Sequence, residues 1–190
     1  MYFNLPGQEN TEETARIAIT AAKEKGISHV IASSNTGATI LVLAAEARKQ
    51  GYDGKLICVP HVYGFRENGK NELSDEQRAE LEKQGITVCI AAHALSGAER
   101  CLSRKFQGAY PVEIIAHTLR MFGQGTKVCV EIGAMCLDAG LIPWGKEIIA
   151  IGGTGRGADT AVILSPSYSH SILDTKVHEV LCKPRLNTNS

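Results

Sequence analysis

The chain has 190 residues, 44% of them hydrophobic, and its 20 basic and 20 acidic side chains balance to a formal net charge of zero. That length favours one domain with a substantial core, with two small ones as the alternative. The balanced charge lacks the basic footprint of a nucleic-acid binder. No apolar run approaches the roughly 18 residues of a membrane span, and Met1-Tyr2-Phe3-Asn4 lacks the basic and apolar regions of a signal peptide. A soluble cytoplasmic protein with no nucleic-acid or membrane partner is the expectation. The cysteines (Cys58, Cys89, Cys101, Cys129, Cys136 and Cys182) form no Cys-x-x-Cys pair. They read as buried, reduced thiols, and no metal site is expected.

Thr11 to Lys25 carries Ala15, Ala18, Ile19 and Ala22 on one stripe, which predicts a helix. Asn10 or Thr11 can cap it, and Gly26 can end it. A strand over His29 to Ala32 leads through Ser33-Ser34-Asn35-Thr36 into a second helix, Gly37 to Gln50. The first half of that helix is apolar on nearly every side and is expected to be buried against the sheet or a neighbouring subunit. Lys55 to Val59 is an apolar run without alternation, as in a strand covered on both faces. Ser74 with Gln77 makes a capping box for a helix ending near Gln84.

Ile86 to Ala91 predicts a third strand, leading to His93. Ser96 to Glu99 has the pattern of a second capping box, opening a short helix through Arg104. Pro111 suits the first turn of a helix through Phe122, and another runs from Thr126 to Ala139 before Gly140. Glu147 to Ile151 and Thr160 to Leu164 are strands four and five. Val177 to Cys182 is a candidate edge strand before a basic and polar tail expected to be frayed. Alternating strands and helices argue for a doubly wound, mostly parallel α/β sheet. No crossover helix fits between Ile151 and Thr160, so the last core strand should be antiparallel.

Ligands in such sheets sit outside the carboxyl ends of the parallel strands. Strand direction alone therefore collects Ser33 to Gly37, His61, His93 and Gly152 to Gly157 on one rim. The segment Ser33-Ser34-Asn35-Thr36-Gly37-Ala38-Thr39 enters a helix N-terminus, where free amides and the helix dipole favour an anion. A plain capped turn is the alternative. Gly153, Gly155 and Gly157 precede a strand rather than a helix, so a dinucleotide fingerprint is rejected. An anion loop clamped by Arg156 and an ordinary connection both remain open. Histidine is the side chain suited to proton transfer near neutral pH, so His61 and His93 can serve as acid–base groups or as structural histidines. Tyr63 and Phe65 can stack on a planar ring or pack the loop. Ser96, Arg100, Arg104 and Lys105 read as a solvated face or an anion contact. Lys127, Glu131 and Asp138 share a stripe that is either exposed or turned, through Glu131, into a pocket. No nucleophile elbow, Walker loop or HExxH motif occurs.

Set together, Glu13-Thr14-Ala15, Ala18, Ala21-Ala22 and Val30 to Thr39 resemble the C-terminal domain of pyruvate kinase, with its Thr-Ala-rich helix and phosphate loop. Gly152 to Leu164 is similar to that domain's closing segment. The chain also resembles a stand-alone microbial family of such domains, from about Thr11 to Ser165. Its stretches appear as Ser96-Gly97-Ala98-Glu99-Arg100, Asp138-Ala139-Gly140-Leu141-Ile142-Pro143 and Gly153-Thr154-Gly155-Arg156-Gly157-Ala158-Asp159.

This resemblance implies five strands with helices on both faces. It also implies a sugar-phosphate type of loop at Ser33, Ser34, Asn35, Thr36, Gly37 and Thr39, and flavin mononucleotide (FMN) as the ligand. The catalytic barrel of pyruvate kinase has no counterpart in these residues, so kinase activity is not carried over. Asn35-Thr36-Gly37 also replaces a Ser-Gly-Arg-type run, leaving Arg156 or backbone amides to hold the phosphate. The expectation is a binder of a phosphorylated small molecule, with a planar ring lying towards His61, Tyr63 and His93. A flavin-dependent oxidoreductase is the alternative, and a regulatory or assembly module, with homo-oligomers, is the further one.

Overall fold

The computed structural model of the chain describes residues 1–185. Its sheet has the order β1-β7-β6-β5-β2-β3-β4. The strands are β1 (Tyr2–Phe3), β2 (His29–Ser33), β3 (Lys55–Val59), β4 (Thr87–Val88), β5 (Ile148–Gly152), β6 (Thr160–Ser165) and β7 (Lys176–Pro184). The β5-β2-β3-β4 core is parallel, while β6 runs antiparallel to both β5 and β7. The reversal expected after Ile151 is therefore present. The helices are α1 (Thr11–Lys25), α2 (Ala38–Gln50), α3 (Asp75–Lys83), α4 (Glu99–Phe106), α5 (Pro111–Arg120) and α6 (Gln124–Asp138).

Successive strand residues feed opposite cores, as the pleat requires. Val30, Ala32, Leu56, Cys58, Ile149 and Ile151 pack with Ala18, Ile19, Ile40 and Leu43 of α1 and α2. Ile31, Ile57, Val59, Ile148 and Ala150 pack with Cys129, Ile132, Met135 and Cys136 of α6. The unbroken apolar run of β3 is explained by this double cover. Three close approaches bring α6 onto the sheet. A Cβ on Gly125 would lie 2.1 Å from Thr160 Oγ1, one on Gly152 2.7 Å from the Gly125 carbonyl oxygen, and one on Gly133 3.0 Å from Leu164 Cδ1.

Several expectations need correction. The third core strand is only Thr87–Val88, because β3 ends at Val59 against Pro60, which has no N–H to extend a ladder. The outer face of α2 is open, with Leu41 exposed, so the helix buries one side rather than nearly all. The side chain of Asn10 does not cap α1. It donates to the carbonyls of Leu5 and Gly7, while a 3-10 turn, Gln8–Asn10, runs into the helix. Cys101 is exposed, unlike the other cysteines. The candidate edge strand is β7, and the short β1 covers its end in parallel register. Of the tail expected to fray, residues 186–190 lie outside the described residues.

The capping box at Ser74 forms as expected, with Gln77 N donating to Ser74 Oγ and Ser74 N to Gln77 Oε1. The second one does not form. Glu99 instead accepts the amides of Val112 and Glu113, capping the first turn of α5 from the neighbouring helix.

The loop after β5 is tied to the chain's N-terminal turn. Asp159 is fully buried and accepts from Gly7 N (3.0 Å), Thr154 N (3.1 Å) and Thr160 Oγ1 (2.8 Å). Ala158 N donates to Thr11 Oγ1 at 3.0 Å. Removing the carboxylate strands two amides, so Asp159→Ala is expected to cost about 3 kcal/mol. Ser74→Ala, which removes one exposed cap, is expected to cost about 1 kcal/mol. Urea denaturation of the two variants checks both the size and the order of the losses.

Candidate functional site

At the carboxyl rim, Ser33, Asn35, Val59, Pro60, His61, His93, Val128, Glu131, Ile132 and Met135 line a small, partly open hollow of ≈ 70 Å³. Strand direction thus brought together Ser33, Asn35, His61 and His93. Glu131 lines the same hollow, which settles the open reading of the Lys127–Glu131–Asp138 stripe. Lys127 and Glu131 are both 5% exposed, so no solvated face exists there. Asp138 is exposed and accepts from Ser169 N.

Gly37 adopts a left-handed conformation (φ 85°) and turns the chain into α2. Ser34 Oγ accepts Ile40 N at 3.2 Å, and Leu41 N donates to Gly37 O. Ser34 is therefore spent on the helix end. The backbone amides of Asn35, Thr36, Gly37, Ala38 and Thr39 have no acceptor among the described residues. Clustered free amides at a helix N-terminus are the requirement for holding an anion. The glycine loop is different. Thr154 N is used by Asp159, Gly157 lies against Thr11 and Gln8, and Arg156 is exposed at the loop's outer edge. None of residues 153–157 lines the hollow. The loop still emerges beside the α2 segment, because β5 and β2 are adjacent parallel strands.

Across the hollow, His61 Nδ1 is hydrogen-bonded to Glu72 Oε2. Arg66 Nε lies 3.6 Å from the other Glu72 oxygen. Asn71 braces the same loop, donating to the His61 carbonyl at 2.7 Å while its Oδ1 accepts Leu73 N at 2.9 Å. Phe65 stacks on His61 with ring centroids 3.8 Å apart and lies 5.1 Å from His93. The Arg100 guanidinium sits 5.8 Å above Phe65. Tyr63 is half exposed and turned towards Asp75, away from the hollow. Of the two aromatics near His61, Phe65 is therefore the one at the site. Ser96 is buried, and Arg104 and Lys105 are exposed.

Behind His93, Lys127 Nζ meets Glu131 Oε2 at 2.5 Å, and Glu131 Oε1 accepts Leu95 N at 3.0 Å. Burial lowers the proton affinity of Lys127, and Glu131 opposes that shift. Burial likewise lowers the pKa of His93, against the pull of Glu131 and with the help of His61, Lys127 and Arg100. The Cys58 thiol, beneath the rim, is pushed up to about 12 by burial and is no nucleophile at neutral pH.

Sequence reasoning missed Glu72 and Asn71. They sit in a polar loop without periodicity, and only the fold brings them under His61.

Together these features define a doubly wound α/β domain with its polar hollow outside the carboxyl ends of parallel strands. The pyruvate kinase alpha/beta domain family matches residues 12–164, and the chain belongs to that family. Similar solved structures include two of pyruvate kinase from Cryptosporidium parvum. One is 15% identical with TM-score 0.42, covering 82% of this chain and 23% of that one. The other is 15% identical with TM-score 0.39, covering 80% and 21%. A third, of the same organism's pyruvate kinase in complex with ADP, is 15% identical with TM-score 0.41, covering 80% and 22%. The chain thus spans less than a quarter of the length of those pyruvate kinases. Among the described residues, no helix is long and apolar enough to cross a membrane.

Two predictions follow from the electrostatics. Breaking a buried pair leaves one charge uncompensated, so Glu131→Leu is expected to lose about 3–5 kcal/mol, while Lys127→Met with Glu131→Leu recovers most of it. Denaturant titrations of the single and double variants measure the difference. For His93, the folded state binds its proton less tightly than the unfolded state, whose value is near 6.5. Stability is therefore lost as pH falls through the window below 6.5 and is unaffected above it. His93→Gln should show a flatter stability profile on that acid side. His29, lowered in the same direction by burial, supplies the part that remains.

Proposed function

We propose that this domain binds a phosphorylated small molecule at the carboxyl rim, with its phosphate on the N-terminus of α2. The run of unpartnered amides from Asn35 to Thr39 carries the reading, because it opens beside a hollow lined by two histidines. Ser33 and Thr36 add hydroxyl donors. No basic side chain is needed in the loop if backbone amides and the helix dipole supply the positive potential.

FMN is the ligand proposed. Its phosphate would meet the α2 amides, and its ring would lie towards the cluster of His61, His93 and Phe65, whose rings pack against one another. Such a ring is broad and apolar, so it would gain from the same stacking that Phe65 shows. When bound, the flavin supplies electron-transfer and hydride-transfer chemistry. The chain's own residues would orient it and exclude water.

An absorption scan and mass spectrum of freshly purified protein, with FMN titration of the colourless fraction, test this reading. FMN is expected to bind at least about tenfold more tightly than riboflavin, since a charge-assisted phosphate contact is worth about 1.4 kcal/mol or more. Asn35→Asp places a negative charge in the cradle and should remove that preference. Equal affinity for FMN and riboflavin would count against the phosphate cradle.

A further inference from the structure

We propose that the hollow is also an acid–base site, in which His61, oriented by Glu72, removes a proton from the carbon beside the carbonyl group of a small phosphorylated carbonyl compound. The proposal rests on the phosphate cradle described above and is independent of the flavin. Its basis is the arrangement around the hollow. Glu72 engages Nδ1 of His61, so Nε2 is the ring nitrogen left for the hollow that His61 lines. An imidazole whose Nδ1–H is given to a carboxylate presents a lone pair at Nε2, and the carboxylate stabilises the imidazolium that forms. Arg66 on Glu72, and Asn71 between His61 and Leu73, hold this pair in one geometry. A histidine serving only to pack the loop has no need of so complete a brace.

The rest of the hollow offers donors rather than another base. His93, whose ring lies 5.5 Å from that of His61, and Asn35 both line it, and the Asn35 backbone amide has no acceptor among the described residues. Burial keeps His93 from taking up a proton, so its ring can donate a hydrogen bond as a neutral group to an oxygen that gains charge. Glu131 cannot compete as a base, since Lys127 and Leu95 N occupy its two oxygens.

The step balances without a redox partner. The C–H bond breaks and its proton passes to Nε2. The electron pair forms a carbon–carbon double bond, and the carbonyl π pair moves to oxygen, which His93 and Asn35 stabilise. Return of the proton from Nε2 to the same carbon restores the compound, and in heavy water it returns deuterium.

Hydroxyacetone phosphate in heavy water tests this, with proton NMR following the loss of the C–H signals beside the carbonyl and saturation transfer reporting binding. The intact chain is expected to raise exchange about 100-fold or more above buffer. His61→Ala should return it to background while keeping the saturation-transfer signal, and added imidazole should restore part of the rate. Glu72→Gln should slow exchange while the probe still binds. Binding with exchange no faster in the intact chain than in His61→Ala overturns the acid–base proposal and leaves the cradle standing. Loss of exchange in His61→Ala that imidazole does not restore, or full exchange in Glu72→Gln, also overturns the dyad. Absence of any saturation-transfer signal with the intact chain overturns both the cradle for this class and the chemistry built on it.

Discussion

The rim depends on how closely α6 lies on the sheet. Gly125, Gly133 and Gly152 leave no room for a side chain where the helix meets β5 and β6, and Cys129 Sγ reaches the Ala150 carbonyl at 3.2 Å. A Cβ at Gly125 or Gly152 would have to push against Thr160 or against backbone, which shifts only with the whole helix. Because the helix is held down, its N-terminus stands at the carboxyl ends of the strands. Lys127 and Glu131, in its first turns, are then carried under the loop that bears His93.

Those charges compensate for a weakness of the sheet. β4 has only two paired residues, so the chain from Cys89 to Ser96 gains little from a strand ladder. Cys89 N still reaches Cys58 O at 2.8 Å, but beyond it Pro60 ends the partner strand. Glu131 takes over by accepting Leu95 N, and Lys127 balances the carboxylate. A buried pair of this kind adds little net stability compared with an apolar equivalent. Its effect is positional, since it fixes where the loop carrying His93 lies relative to His61. Polar anchoring replaces backbone pairing at the point where the hollow opens.

The extent to which this was legible in the sequence follows the range of each interaction. Helices and strands that depend on local periodicity or caps, such as α1, β3 and the Ser74 box, stand where their residues place them. Strand direction was enough to gather Ser33, Asn35, His61 and His93, because every parallel strand delivers its next residue to the same rim. Features made by distant partners were not legible. Glu99 has the spacing of a box with Ser96, yet it caps α5, since nothing local records that α5 folds back beside it. Lys127 and Glu131 have the spacing of a solvated pair, and only the glycines of α6 and β5 reveal that the helix is pressed inward. The Glu72–His61 contact bridges a loop with no period at all.

Two segments carried the chemical signature of an anion loop, and the physical difference between them is one of hydrogen-bond accounting. A backbone segment can bind an anion only with amides that have no other acceptor. In the Gly152 to Gly157 loop, Asp159 already supplies the negative charge from within the chain, taking Thr154 N and Gly7 N, and Thr11 takes Ala158 N. The loop has in effect bound its own carboxylate, and in doing so it fastens the N-terminal turn to the sheet. The segment entering α2 has no such internal anion, and Ser34 satisfies only Ile40 N. Two glycine-bearing loops on adjacent strands therefore have opposite roles. One is closed by a buried aspartate and stabilises the fold. The other keeps its amides without an acceptor among the described residues, beside the braced His61.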